Sequence, residues 1–425
     1  MKNNFFKFSE KILQASEQAM KLCKEQIDKI DEIQDYNQNK MLYAFQKAGA
    51  SETHLVASTG YGYGDRGRDV LDEIYATVFE AEDALVRHNF VSGTHTLEVA
   101  LFGVLRPGDK MLSVTGTPYD TIHPVIGING EGSGYGNLRD FGIEYDEIPL
   151  SDNDRPDYAA IENGIDSSIK MVYIQRSRGY SARPSLTCDE IEKIAKIAKE
   201  KAPECIVMLD NCYGEFVEVK QPLSCGVDLM AGSLIKNPGG GIAPTGGYIA
   251  GKRDLVELCA CRLTTPATGK EIGATLGHNR ELFMGAYNAP MASCEALKTA
   301  VFAAALFEIL GYAVSPRYNE DRGDIIQVLK LKSPEALTAF CEGIQKASPV
   351  DSFVKPEPWD MPGYNCKVIM AAGAFTLGSS IELSADAPLR EPYACWMQGG
   401  VNFPAGKTGV MLAAQSMLDR GLLAF

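Results

Sequence analysis

Apolar residues along this chain recur at two spacings, and the alternation between them lays out the fold. Near the amino end Phe8, Ile12, Ala15, Ala19 and Leu22 stand three or four apart in a polar stretch, which predicts an amphipathic helix. Leu71, Ile74, Val78 and Leu85 repeat that period, as do Leu97, Ala100, Leu101, Val104 and Leu105. Short apolar runs then alternate with helix-like ones: strands are predicted at 111–115, 171–175, 205–210 and 247–251, and the capping box Thr187–Glu190 opens a helix. Strands alternating with helices predict a largely parallel sheet with helices on both faces. Around Ser293 the pattern changes to a long alanine-rich helix at 293–310, apolar runs at 324–331, 366–373 and 379–385, and a helix at 334–345. This reads as an N-terminal helical arm over 1–60, a large α/β domain over 61–292 and a smaller α+β domain over 293–425. The proline-rich segment 348–364 reads as an ordered surface loop, and no internal repeat occurs.

A length of 425 residues suits more than one core. The formal charge of −14 is spread along the chain, which argues against a nucleic-acid footprint and against an anionic membrane surface. No apolar run reaches the roughly 18 residues that a membrane span needs, and the polar start predicts no signal peptide. Eleven cysteines without framework spacing suit a reducing cytoplasm, with most thiols acting as small core hydrophobes. Cys259 and Cys261 form a C-x-C with no second ligand pair at zinc spacing, so no metal site is expected.

The candidate chemistry centres on 205–247. Asp210 ends an apolar run, and Lys236 follows Gly-Ser-Leu-Ile and precedes Asn-Pro-Gly-Gly-Gly. A carboxylate at the end of a buried strand and a lysine in apolar company are each costly without a partner. Taken singly, the aspartate reads as a turn cap and the lysine as a solvated surface group. One ligand satisfies both: pyridoxal phosphate, whose ring nitrogen would pair with Asp210 and whose aldehyde would condense with Lys236. Ser92-Gly93-Thr94 at a helix start forms a small anion cradle, which Ser233 could join. Tyr119, after a strand, could stack on a flat ligand or be a core or interface tyrosine, whereas His95 and His123 read as residues that support the site or pack.

The stretch 59–69 sets Tyr61, Tyr63, Arg66 and Arg68 among glycines, which suits phosphate or carboxylate recognition. It lacks the GK[ST] ending of a phosphate-binding nucleotide loop, as does the glycine-rich run near residue 135, so nucleotide binding is not expected. Arg178 and Arg390, each beside turn signals, are candidates for a substrate carboxylate.

With Ser92-Gly93-Thr94, Tyr119, Asp210, Ser233 and Lys236 in this order, the chain resembles the fold-type-I pyridoxal-phosphate enzymes. It resembles most closely the carbon–sulfur lyases described as methionine gamma-lyase-like or aluminium-resistance proteins. The matching pieces are TGYGYGDRGRD, SGTHT, PYDT, IQRSRGYSAR, LDNCYGEF, GSLIKNPGGGIAPTGGYIAG, IMAAGAF and REPYACWMQGG. The resemblance implies a cofactor linked to Lys236, Asp210 on its pyridinium nitrogen, Tyr119 on its ring, and Gly93, Thr94 and Ser233 on its phosphate. It also implies a homodimer or homotetramer in which Tyr63 and an arginine of the 61–68 stretch complete the neighbour's phosphate site. Arg66 and Arg68 compete for that role, with Arg68 favoured, and Arg390 takes the substrate carboxylate. The implied reaction is β- or γ-elimination from a sulfur-containing amino acid, giving a thiol, a keto acid and ammonia. An aminotransferase or aldolase on the same fold is the rival among enzymes. A non-catalytic, acidic metal-sequestering protein is the rival outside them, although its nearest ligand run, 151–157, is interrupted by a proline.

Overall fold

A computed structural model describes residues 5–181, 183–360 and 366–423. The chain divides into a large unit, 36–290, and a smaller one made of 1–35 with 291–425. In chain order the elements are α1 (Glu10–Lys47), α2 (Arg66–Phe79), β1 (Asp83–Arg87), α3 (Gly93–Val104), β2 (Lys110–Ser113), α4 (His123–Ile126) and β3 (Glu144–Glu147). Next come α5 (Tyr158–Gly164), β4 (Ile169–Gln175), α6 (Cys188–Lys201), β5 (Ile206–Asp210), β6 (Leu229–Ser233), β7 (Gly247–Gly251), α7 (Arg253–Leu263) and α8 (Asn279–Ile309).

The large unit is built on a seven-stranded sheet in the order β1-β7-β6-β5-β4-β2-β3, in which only β7 runs antiparallel to its neighbours. Side chains on a strand point alternately to opposite faces, and the core follows that rule. Val172, Ile174, Val207, Leu209 and Met230 join Leu71, Ile74 and Phe79 of α2 and Ile191 and Ile194 of α6 in one cluster. Met171, Tyr173, Ile206, Met208 and Leu229 join Leu97, Leu101 and Val104 of α3 and Val256 of α7 in another. Helices therefore cover both faces, as a parallel sheet requires. α6 opens with the predicted capping box, Thr187 and Glu190 bonding each other's backbone N–H.

The smaller unit adds β8 (Ala313–Ser315), β9 (Gln327–Lys330), α9 (Pro334–Ala347), β10 (Val368–Ala372), β11 (Ser384–Pro388), β12 (Ala394–Gln398) and α10 (Phe403–Asp419). Its strands form an antiparallel sheet in the order β10-β11-β12-β9-β8. Within this unit α1 buries Ile12, Ala15, Ala19 and Cys23, whereas Leu22 is 40% exposed. The buried stripe advances by three full turns from Ile12 to Cys23, so the small thiol takes the place that hydrophobicity alone gives to Leu22. α8 begins at Asn279, well before the predicted 293, and carries Pro290 within it. Of the predicted loop at 348–364, residues 361–364 lie outside the described residues. Among the described residues no helix is long and apolar enough to cross a membrane.

Candidate active site

Parallel strands bring their carboxyl ends to one edge, and the crevice there is where α/β folds bind ligands. Gln175 ends β4, Asp210 ends β5 and Ser233 ends β6; Gln175 lies opposite Asp210, and Asp210 opposite Ala231. Ser233 and Arg87, the last residue of β1, both face Gly247, so β1 ends at this edge and α3 starts beside it.

Ser92 caps α3, accepting the His95 N–H at 3.0 Å, and its carbonyl accepts the Thr96 N–H. Those bonds leave the N–H groups of Gly93 and Thr94 without partners among the described residues, which is the usual anion-binding end of a helix. A Cβ built on Gly93 would stand 3.3 Å from the Ser233 Cβ and 3.8 Å from the Cys212 sulfur. Glycine thus keeps the cradle open. The Ser233 hydroxyl is buried and, among the described residues, has no hydrogen-bond partner.

Asp210 is 4% exposed, and its Oδ1 accepts the Cys212 N–H at 3.0 Å. Burial pushes its pKa up, and the charge of Lys236 with the Cys212 amide pulls only part of the way back. Lys236 is half-buried. Burial alone would push its ammonium down, but the surrounding acids, Cys212 first, then Tyr213, Tyr119 and Asp210, hold its pKa well above the usual lysine value. Tyr119 is half-buried, its N–H fixed at 2.8 Å by Gln175 Oε1.

The turn after β5 was missed by sequence reasoning, because nothing in Asn-Cys-Tyr-Gly-Glu-Phe marks two aromatic residues as left-handed. Tyr213 has φ 70° and Phe216 has φ 62°, conformations that cost bulky residues about 1–3 kcal/mol each and survive only where the surroundings impose them. Two side chains do so. Asn237, next to Lys236, donates to the carbonyls of Tyr213 and Glu215, both at 3.0 Å. Arg176 donates at 2.8 Å to the Gly214 carbonyl and to Asn211 Oδ1. The Tyr213 ring is thereby set under Lys236, with Nζ 4.0 Å from its centroid, a cation–π geometry worth about 0.5–2 kcal/mol. Glu215, 1% exposed, accepts the Tyr248 hydroxyl at 2.8 Å through Oε1, and burial pushes its pKa up to about 7.

Other expected residues are placed differently. Tyr61 and Tyr63 are 73% and 68% exposed, with ring centroids 5.5 Å apart. The glycine-rich stretch ends sooner than its composition suggests, because Asp65 caps α2 and so puts both arginines in a helical turn. Arg68 is buried, and its guanidinium bonds the carbonyls of Gly62, Gly273 and Glu271 and the carboxylate of Asp69. Arg66, by contrast, is exposed. In the glycine-rich run near residue 135, Asp140 takes the N–H groups of Gly134, Gly136 and Asn137, so they are not offered to a phosphate. Arg178 is buried on the loop after β4, its carbonyl accepting from Ser181. Arg390 belongs to the smaller unit, exposed on the turn after β11. His95 accepts the Val91 N–H and His123 bonds the Pro118 carbonyl.

A family model described as methionine gamma-lyase matches residues 12–418. A carbon–sulfur lyase involved in aluminium resistance from Clostridium novyi NT is 49% identical, and its crystal structure superposes with a TM-score of 0.92 over 96% of each chain. The Bacillus subtilis protein YnbB is 46% identical over 394 residues, 93% of each chain. At 16% identity, the pyridoxal-5′-phosphate-dependent protein YhfS from Escherichia coli superposes with a TM-score of 0.62, covering 92% of this chain and 97% of its own. That last likeness carries the fold, which is the predicted one: a mainly parallel α/β unit of fold type I with a smaller unit beside it in sequence.

Proposed function

Because the chain belongs to the methionine gamma-lyase family, we propose that it is a pyridoxal 5′-phosphate-dependent carbon–sulfur lyase, acting by β- or γ-elimination on a sulfur-containing amino acid. The observation that carries this reading is the convergence at one sheet edge of the Lys236 amine, the Asp210 carboxylate and the open helix start at Gly93 beside Ser233. The residues fit that cofactor. Ser233 holds a buried hydroxyl with no partner among the described residues, Gly93 keeps the cradle open, and Asp210 is a buried carboxylate at the same sheet edge.

Bound there, the cofactor supplies an electron sink for negative charge developing at the substrate α-carbon. The chain's residues do the rest. Asp210 would keep the ring nitrogen protonated, which a neutral side chain would not do. Gly93, Thr94 and Ser233 would hold the phosphate, and Tyr119 would lie against the ring. Lys236 would carry the cofactor, and its amine is the base placed to take the α-proton. The exposed Tyr61, Tyr63 and Arg66 are assigned to a second copy's site; Arg66 is preferred to Arg68 because among the described residues its guanidinium has no hydrogen-bond partner, whereas that of Arg68 bonds three carbonyls. For the substrate carboxylate the resemblance favours Arg390.

The test is chemical. Borohydride reduction of the holo-protein followed by peptide mapping should place a pyridoxyl group on Lys236 alone. Incubation with methionine, cystathionine and cysteine conjugates should release a thiol and a keto acid from at least one of them. Label on another lysine, or transamination without thiol release, would overturn the reading.

A further inference from the structure

The turn that carries Tyr213 is held more firmly than a connecting loop needs to be. One restraint comes from Asn237, the residue after the lysine, and another from Arg176, which lies on the connection that follows β4. Gly214 admits no substitute, since a Cβ there would lie 2.4 Å from the Arg176 Cδ. The Asn211–Gly214 turn is closed by a backbone bond of 2.9 Å. The result of these restraints is one contact, an aromatic face 4.0 Å from the amine that does the chemistry.

We propose that the Tyr213 ring is the dock for the Lys236 ammonium whenever that amine is not attached to the cofactor. The proposal rests on the reading of Lys236 as the cofactor lysine. In the proposed reaction the Lys236 amine acts as the base. The proton that leaves the substrate α-carbon then resides on Nζ, turning a neutral amine into an ammonium while the ring gains and loses nothing. An aromatic face stabilises that cation without accepting its proton, so the ring favours proton uptake and keeps Nζ within reach of the site. Tyr213 thus touches a reacting atom, and its face rather than its hydroxyl carries the role. The other groups around Nζ are acidic, namely Cys212, Tyr119 and Asp210, and they act in the same direction, while the lysine's charge in turn pulls down the pKa of the buried Glu215.

The experiment uses cofactor-free full-length protein. Pulse acetylation of Lys236 is read by peptide mass spectrometry against pH, with the exposed Lys196 as internal reference. The midpoint of the profile reports the affinity of Nζ for its proton, independently of reagent access. Tyr213→Leu, which loses the face, should lower that midpoint by about one pH unit, and Tyr213→Phe, which keeps the face and loses only the phenol's charge, should lower it by less than half as much. Because leucine is strained at φ 70°, Tyr213→Gly serves as the second variant, at ease in that conformation and equally without a ring. An unmoved midpoint in the glycine variant would overturn the proposal, as would a phenylalanine variant that shifts as far as the leucine one. The borohydride mapping is independent of these profiles, so the docking contact and the cofactor assignment can each fail alone.

Discussion

Replacing Glu215 by glutamine should stabilise the cofactor-free protein at pH 8 and leave it almost unchanged near pH 5. Glu215 is 1% exposed; its Oε1 receives the Tyr248 hydroxyl, and its Oε2 has no partner among the described residues. The fit is close, because a Cβ on Gly232 would stand 2.5 Å from Oε1. Burial raises the pKa from 4.5 to about 7 against the opposing pull of its own backbone, Tyr248, Lys236 and Arg176. A raised folded-state pKa means that the native state binds the proton more tightly than the unfolded chain. Its stabilising contribution is complete below pH 4.5 and is lost as the pH climbs through 7. At about 1.36 kcal/mol per pH unit, the full loss is about 3 kcal/mol. Glutamine mimics the protonated acid in shape and carries no such dependence. The assay is urea unfolding of both proteins from pH 5 to pH 8, followed by far-ultraviolet circular dichroism, since Trp359 and Trp396 both lie in the smaller unit and would not report on Glu215. The stability difference should open across that range to about 3 kcal/mol in favour of glutamine. Parallel profiles, or a gap that widens towards acid, would refute the reasoning.

Ser233→Ala should fold like the parent, because the hydroxyl has no partner among the described residues to lose, yet bind cofactor about 10- to 100-fold more weakly by equilibrium dialysis. Asp210→Asn should keep part of its bound cofactor but lose turnover by about two to three orders of magnitude, the size expected when a preorganised charge is removed from a site; unchanged turnover would remove Asp210 from its role. Arg68→Ala should lower stability by about 2–4 kcal/mol in denaturant unfolding, since three carbonyls lose a buried donor. Arg66→Ala should unfold like the parent but be inactive, and mixing it with Lys236→Ala under conditions of subunit exchange should restore activity. No recovery despite proven exchange would show that each chain completes its own site.

How much of this was legible in the sequence depended on range. Periods of 3.6 and 2 are local properties of the chain, so the alternation of strands and helices, the mainly parallel sheet and the capping box at Thr187 could all be read from spacing. The residues at the sheet edge could also be read, because a carboxylate ending an apolar run and a lysine among apolar residues are anomalies wherever they occur, and the family resemblance supplied their order. Where a side chain spends its hydrogen bonds is a matter of distant partners. Arg66 and Arg68 differ by two positions in one motif, but only the fold brings the Gly273 and Glu271 carbonyls to Arg68 and so leaves Arg66 exposed. Tyr213 looked like any loop aromatic until Asn237 and Arg176, from elsewhere in the chain, forced it into a left-handed turn beneath Lys236. Glu215 likewise became a buried acid only when β6 and Tyr248 closed over it. Composition and periodicity determined which elements form and where the candidate chemistry lies along the chain. Tertiary contacts between residues far apart decided which arginine is committed, which ring meets the amine and which carboxyl loses its water.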